Sequence, residues 1–323
     1  MTVAVALLVG SAIVAVVAPW FLHQLAAAGF DPIVVIVGWL VAMAGVLGTA
    51  AAALIVMTLP HQTHGHPLGD LVHSAWWEFT RDAPELLAYQ GMRWLAGVGI
   101  AGSALWLGFV AMRERGRRSR RVRQQLAVLN IVGSRSACPG QGPATLWLQS
   151  DRPLAFSVAG RPGLVVLTEG LRRQLPPDGV EAVLAHERAH LRGRHHLLIA
   201  TVQTLRRAFG FLPLFRSAPA ALREQLELAA DLSALADCGA AAVHNALMTV
   251  TGAGTPELAL AMARDALDVR LRQLANAADQ PDPVNRLTTC GALGAALAAT
   301  PFALASGVLV GISAIITVTG ALG

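Results

Sequence analysis

His186, Glu187 and His190 are the residues whose types and spacing point most directly to chemistry. They close the segment Pro177-Asp178-Gly179-Val180-Glu181-Ala182-Val183-Leu184-Ala185-His186-Glu187-Arg188-Ala189-His190. This segment reads as a helix start, with Asp178 as cap and Glu181 three residues on, as in a capping box. Val180, Val183 and Leu184 form an apolar stripe at helical spacing. Histidines four apart project from the same helix face. Two neutral imidazoles so placed can bind one zinc ion at about 2.0–2.1 Å. Glu187 then lies beside the metal rather than on it, as the base that takes a proton from the attacking water.

A catalytic zinc needs a third protein ligand and one open position. Two residues compete for that place. His196 completes a literal HExxHxxGxxH, with Gly193 where the helix of a metzincin ends and the chain turns back to the metal. Leu197, Leu198, Ile199, Val202 and Leu205 instead predict a helix running on past Gly193. On a continuous helix His196 stands about 80° off the metal-facing direction, and His195 still further. The other candidate is Glu227, in Glu224-Gln225-Leu226-Glu227-Leu228-Ala229-Ala230-Asp231, a second amphipathic helix. Glu227 and Asp231 are one turn apart. The first can bind zinc while the second accepts the free N–H of a ligand histidine, a support that ligand imidazoles usually have. This arrangement favours Glu227 over His196. Glu224, on a neighbouring face, is a fallback whose ordinary reading is a solvated helix charge.

The elements that must position these residues include four long apolar runs. Of the 323 residues 54% are hydrophobic and 14% charged, against roughly 25% charged in soluble domains. The runs are Val3–Leu22, Ile33–Leu59, Trp94–Met112 and Gly291–Thr319. A bilayer core of about 30 Å takes roughly 20 apolar residues in a helix, so all four are expected to span. Trp20 and Phe21 sit near the end of the first as interfacial aromatics, and Pro301 is expected to kink the fourth. The first run lacks the positive leading region of a signal peptide, although Leu25–Ala28 has the small residues of a cleavage site.

The net charge is +5, and every basic residue is Arg. The basic balance is concentrated in Arg113, Arg115, Arg117, Arg118, Arg120, Arg121 and Arg123, directly after the third run. Such a collar belongs on the cytoplasmic face and can touch anionic headgroups. Counting back, both termini lie outside a multi-pass cell-membrane protein. Residues 1–112 hold three spans with an external loop at 60–93, residues 113–290 form a cytoplasmic domain, and residues 291–323 hold the fourth span. Cys138, Cys238 and Cys290 are odd in number and far apart, with no CxxC pair, which argues against a disulfide framework and for free thiols. There is no Gly-rich phosphate loop and no helix-turn-helix signature, so direct nucleic-acid binding is not expected.

HERAHLRGRHHLL followed by ELAAD resembles the integral-membrane zinc peptidases of the beta-lactam-sensor and antirepressor type (BlaR/MecR), and more distantly the HtpX-type membrane peptidases. The resemblance covers nearly the whole chain. Leu154–Gly160 and Leu164–Thr168 are similar to the strands that precede the catalytic helix in these families. It implies a mainly α membrane protein: four transmembrane helices and a cytoplasmic α+β, gluzincin-like zinc peptidase domain with a small sheet. It also implies zinc on His186, His190 and Glu227, Glu187 as base, and Asp231 as a catalytic residue that supports the site and is sometimes assigned as proton donor. Beta-lactam sensors carry an extracellular penicillin-binding domain after the fourth span. Here the sequence stops there, so a signal is expected from a separate sensor or from the membrane itself.

The function this implies is zinc-dependent cleavage of a cytosolic protein, a transcriptional repressor by the resemblance. Quality control of membrane proteins is the alternative, and a receptor or scaffold with a vestigial site is the non-enzymatic one; intact HExxH and ExxxD disfavour the last. Thr145–Gln149, Leu154–Ala159 and Leu164–Thr168 read as strands, one edge of which can take an extended substrate by strand addition. No oxyanion donor stands out: Tyr89, the only tyrosine, is expected across the membrane, and His244 and Arg270 read more simply as surface or core residues. His61, His64, His66 and His73 read as a polar loop, Trp76 and Trp77 as its interfacial anchor, and Asp265–Arg286 as a helix and linker returning to the membrane. Nothing in the sequence sets an oligomeric state.

Overall fold

The computed structural model describes residues 2–58, 85–136, 144–160, 163–252, 270–272 and 283–320. The histidines and tryptophans of the 60–84 stretch lie outside the described residues, as does most of the 265–286 tract. Two uncharged stretches form α1 (Thr2–Ala27) and α2 (Pro32–Thr58). The turn between them needs Gly29, whose φ is 79°, and Asp31, whose Oδ1 accepts the Ile33 N–H at 2.8 Å and caps α2. The last helix, α9 (Pro283–Gly320), packs against both. At Gly10 a Cβ would run into the Pro301 carbonyl oxygen, so the glycine is what lets α1 and α9 approach.

Four helices are long and apolar enough to cross a membrane: Thr2–Ala27, Pro32–Thr58, Trp94–Arg120 and Asn285–Gly311. The third belongs to α3 (Glu85–Val132), a single helix of 48 residues. At 1.5 Å per residue it is about 72 Å long, more than twice a bilayer core. The boundary expected after Met112 therefore falls inside a continuous helix, and the arginine collar is the same helix emerging. Arginine is a good helix former, so nothing in those residues stops it.

The remaining elements are β1 (Gly133–Ser136), β2 (Ala144–Leu148), β3 (Ala155–Val158), β4 (Leu164–Thr168), α4 (Glu169–Gln174), α5 (Pro177–Arg192), α6 (His195–Phe209), α7 (Pro213–Cys238) and α8 (Ala240–Gly252). The sheet runs β1-β2-β4-β3, with β2 and β4 parallel and both outer pairs antiparallel. Every residue of the central β4 is buried, as its unbroken Leu-Val-Val-Leu run requires. The edge strand β1 (Gly-Ser-Arg-Ser) carries no apolar alternation and had no sequence signal; pairing with β2 makes it a strand.

Helix α7 joins two cores. Its first half places Leu214, Phe215, Ala218, Leu222 and Leu226 in one cluster with Leu22 of α1, Trp39 and Met43 of α2, Val202 of α6 and Leu297 of α9. Its second half gives Ala234 to a separate cluster with Val165 and Leu167 of β4, Val183 and Leu184 of α5 and Val243 of α8. The 26-residue helix thus packs against both the apolar bundle and the sheet domain.

Candidate metal centre

Helix α5 begins at Pro177, whose fixed φ and missing N–H suit the first helical position. The expected capping box does not form: the residue before the helix is Pro176, which makes no side-chain cap, and Glu181 instead pairs with Arg188 at 2.6 Å. Ala182, Val183, Leu184 and Ala185 are buried in the cluster built on the sheet. This packing turns His186 and His190 together toward α7.

His186 and His190 Nε2 are 3.1 Å apart. Across from them Glu227 places Oε2 at 3.4 Å from His186 Nε2 and Oε1 at 3.5 Å from His190 Nε2. Behind, His186 Nδ1 lies 2.9 Å from Asp231 Oδ1. Asp231 is 3% exposed and is gripped on both oxygens by Arg270, through Nε at 2.5 Å and Nη2 at 2.6 Å. The Glu227 side chain is 46% exposed, so the cluster opens to solvent on one side.

This donor set fits zinc. Tetrahedral bonds of 2.0–2.1 Å put ligand atoms about 3.3–3.4 Å from each other, close to the three separations seen. The chemistry fits as well. With His186 donating its Nδ1–H to Asp231, the Nε2 lone pair faces Glu227 and His190, a gathering of lone pairs that a cation would satisfy. Without a cation, burial lowers the His186 pKa, but hydrogen bonds and charge from Asp231 and Glu227 outweigh it and raise it to about 9, so the metal-free ring carries a second proton that a bound cation would displace from Nε2. For Glu227 burial works upward, yet the two histidines hold the carboxyl well below the usual range, so it stays an anion. Burial likewise opposes, and Arg270 with His186 overcomes, at Asp231. Among the described residues, these three side chains are the one His/Cys/Asp/Glu group close enough to share an ion.

The other ligand candidates lie elsewhere. The expected continuous helix through Gly193 does not occur. α5 ends at Arg192, and Arg194 takes a left-handed conformation (φ 49°, ψ 35°) that breaks the helix before α6 starts at His195. The apolar residues after it do form a helix, but a new one. His196 is outside the metal cluster; its carbonyl accepts a hydrogen bond from Arg118 of α3. Glu224 is exposed. His244 is exposed too, and Arg270 is spent on Asp231 rather than open to substrate. Glu187 is partly buried beside His186 and has no ion-pair or hydrogen-bond partner among the described residues.

His195 was expected to point away from the metal, and the break reverses this. Its Nδ1 lies 2.8 Å from His190 Nδ1, with the rings edge-to-face at 4.8 Å. Burial and then His190 lower its pKa to about 4, so the ring is neutral and can accept. Gly193 makes this possible, because a Cβ there would collide with the His195 ring. The glycine was the available signal, but a helix-stop residue does not announce which side chain it admits.

With this geometry in place, the chain can be compared with known proteins. Residues 117–265 match the model of Peptidase family M48. An 88-residue stretch is 36% identical to a Protease HtpX homolog from Acaryochloris marina; it covers 27% of this chain and 29% of that relative. No solved structure matches. The chain is a mainly helical membrane protein with a small four-stranded sheet, and its region around the metal centre is similar to the metallopeptidases of family M48.

Proposed function

We propose that the chain is a zinc-dependent endopeptidase that works at the inner face of the cell membrane on a cytosolic protein, a transcriptional repressor in a signalling pathway of the antibiotic-response kind. The observation that carries the peptidase reading is the meeting of His186, His190 and Glu227 across two helices, with Glu187 beside them and unpaired among the described residues. The arginine collar on α3 supports the cytoplasmic placement. The repressor rests on the likeness of HERAHLRGRHHLL and ELAAD to the BlaR/MecR peptidases.

His186, His190 and Glu227 would hold the metal. Zinc bound there supplies Lewis acidity that polarises a peptide carbonyl and acidifies water. Glu187 takes the proton from the attacking water and passes it to the leaving amine. Asp231 acts as a positioning residue. With both oxygens held by Arg270 and His186 it stays ionised, which suits fixing the His186 tautomer better than donating a proton. His195 does for His190 what Asp231 does for His186. The outer edge of β3, which no described strand pairs and whose strand packs against α5, suits strand addition by substrate.

Outer partners of metal-bound histidines are worth about 10–100-fold in affinity. His195→Ala is expected to weaken zinc binding by that factor, read by chelator competition. Gly193→Ala should do the same by displacing the ring, with helix content unchanged. An affinity equal to wild type in both variants would remove His195 from the site.

The function itself is tested by profiling new protein N-termini in cells that express the wild-type chain or its His190→Ala variant. A repressor-directed peptidase gives cuts in few cytosolic DNA-binding proteins that vanish in the variant. Quality control gives many cuts in membrane proteins. Identical profiles would reject both.

A further inference from the structure

Among the described residues, the α6–α7 turn carries the most exposed large apolar side chain of the peptidase half. Phe211 is 76% exposed, between Phe209 and Leu212, with exposed Arg206, Arg207 and Arg216 around it. Two contacts fix the height of this turn against the third span. At its start α6 meets α3 where Arg118 donates to the His196 carbonyl. Near its end Arg207 pairs with Glu114. Glu114 stands two residues past Met112, where the uncharged run of α3 ends. Helix α6 therefore descends toward the bilayer, reaches its surface at Arg207, and places Phe211 about one helical turn, or about 5 Å, beyond. A separate observation agrees: the first half of α7, directly after the turn, shares its core with α1, α2 and α9.

We propose that the Phe209–Leu212 turn is a membrane foot, seated in the leaflet on the peptidase side. Phe211 lies among acyl chains, and Arg206 and Arg216 reach anionic headgroups. An aromatic tip ringed by arginines is what an interfacial segment requires, because the ring gains by leaving water while the guanidinium groups stay at the phosphates. Lipid is the occupant that fits, since the turn continues a surface already packed on membrane-crossing helices and its charge opposes that of anionic lipid. The foot fixes the height of the metal centre: Glu227 lies 14 residues along α7 from Pro213, about 21 Å of helix. Peptide bonds near the membrane surface are thus the ones within reach. The proposal rests on the membrane-crossing helices and needs no catalysis.

The test uses the full chain reconstituted in liposomes of phosphatidylcholine with a minority of phosphatidylglycerol. Its three cysteines are replaced by serine, and an environment-sensitive NBD label is carried by Phe211→Cys. Asp151→Cys, whose side chain is 93% exposed in the wild type, is the aqueous control. The expected result is emission shifted to the blue at 211 and several-fold stronger quenching by nitroxide lipids than at 151. Water-like emission with equal iodide quenching at both sites would overturn the proposal. A blue shift without lipid quenching would overturn it too, because protein would then cover the turn. If the cysteine-free chain does not fold, a genetically encoded fluorescent amino acid at 211 gives the same readout.

Discussion

Glu187→Gln is expected to lower peptide cleavage by about 10²–10⁴-fold, the range of a positioned general base, while the purified chain still binds zinc at the wild-type affinity. Two observations separate these effects. Glu187 is not one of the side chains that meet at the metal centre, and His186, His190 and Glu227 reach one another without it. Its carboxylate also has no partner among the described residues, so the amide replacement breaks no ion pair there and is expected to leave α5 intact. The amide fills the same volume beside His186 but cannot accept a proton from water at neutral pH. Metal analysis and cleavage of a protein substrate, measured on the same preparation, read the two effects independently. Proteolysis at the wild-type rate would remove Glu187 from the base role, and loss of zinc would show that it helps to hold the metal.

What could be read from the residues alone followed the range of the interactions. His186 and His190, and separately Glu227 and Asp231, sit one turn apart on helices whose apolar periodicity is local, so each pair was legible by itself. Their mutual approach depends on α7 packing against α5, and only the chemical need for a third ligand suggested it. The break between α5 and α6 was misread because Leu197–Leu205 has good helical periodicity, whereas the left-handed Arg194 that re-aims it is selected by tertiary packing. From that one error came the misplacement of His195. Arg270 illustrates the same limit: it lies 39 residues from Asp231, and no local pattern links them. The four apolar runs were legible because bilayer thickness is a fixed ruler. The ruler says nothing of where a helix stops outside the membrane, hence the boundary drawn at Met112 inside α3. Helix α7 was read for the half that carries Glu227 and Asp231 alone; its first half has the same apolar stripe but spends it on the membrane bundle.

Glu227→Ala is expected to weaken zinc binding by more than about 100-fold, beyond the 10–100-fold of an outer partner, and to abolish cleavage with it. The side chain is 46% exposed, so truncation removes no core packing and the fold should survive, as far-UV circular dichroism would verify. His196→Ala is the matched control. It removes the residue that completes HExxHxxGxxH, yet its imidazole is not in the cluster and its backbone contact to Arg118 does not depend on the side chain. Wild-type zinc affinity is therefore expected. The ranking carries more weight than any one value: Glu227→Ala worst, His195→Ala and Asp231→Asn between, His196→Ala unchanged. A surface carboxylate near two histidines would not produce this order, because removing a mere neighbour should cost less than removing the hydrogen-bonded Asp231. If instead His196→Ala released the metal and Glu227→Ala kept it, the ligand set would be the metzincin one. The α5–α6 break would then have to rearrange on metal binding to bring His196 in.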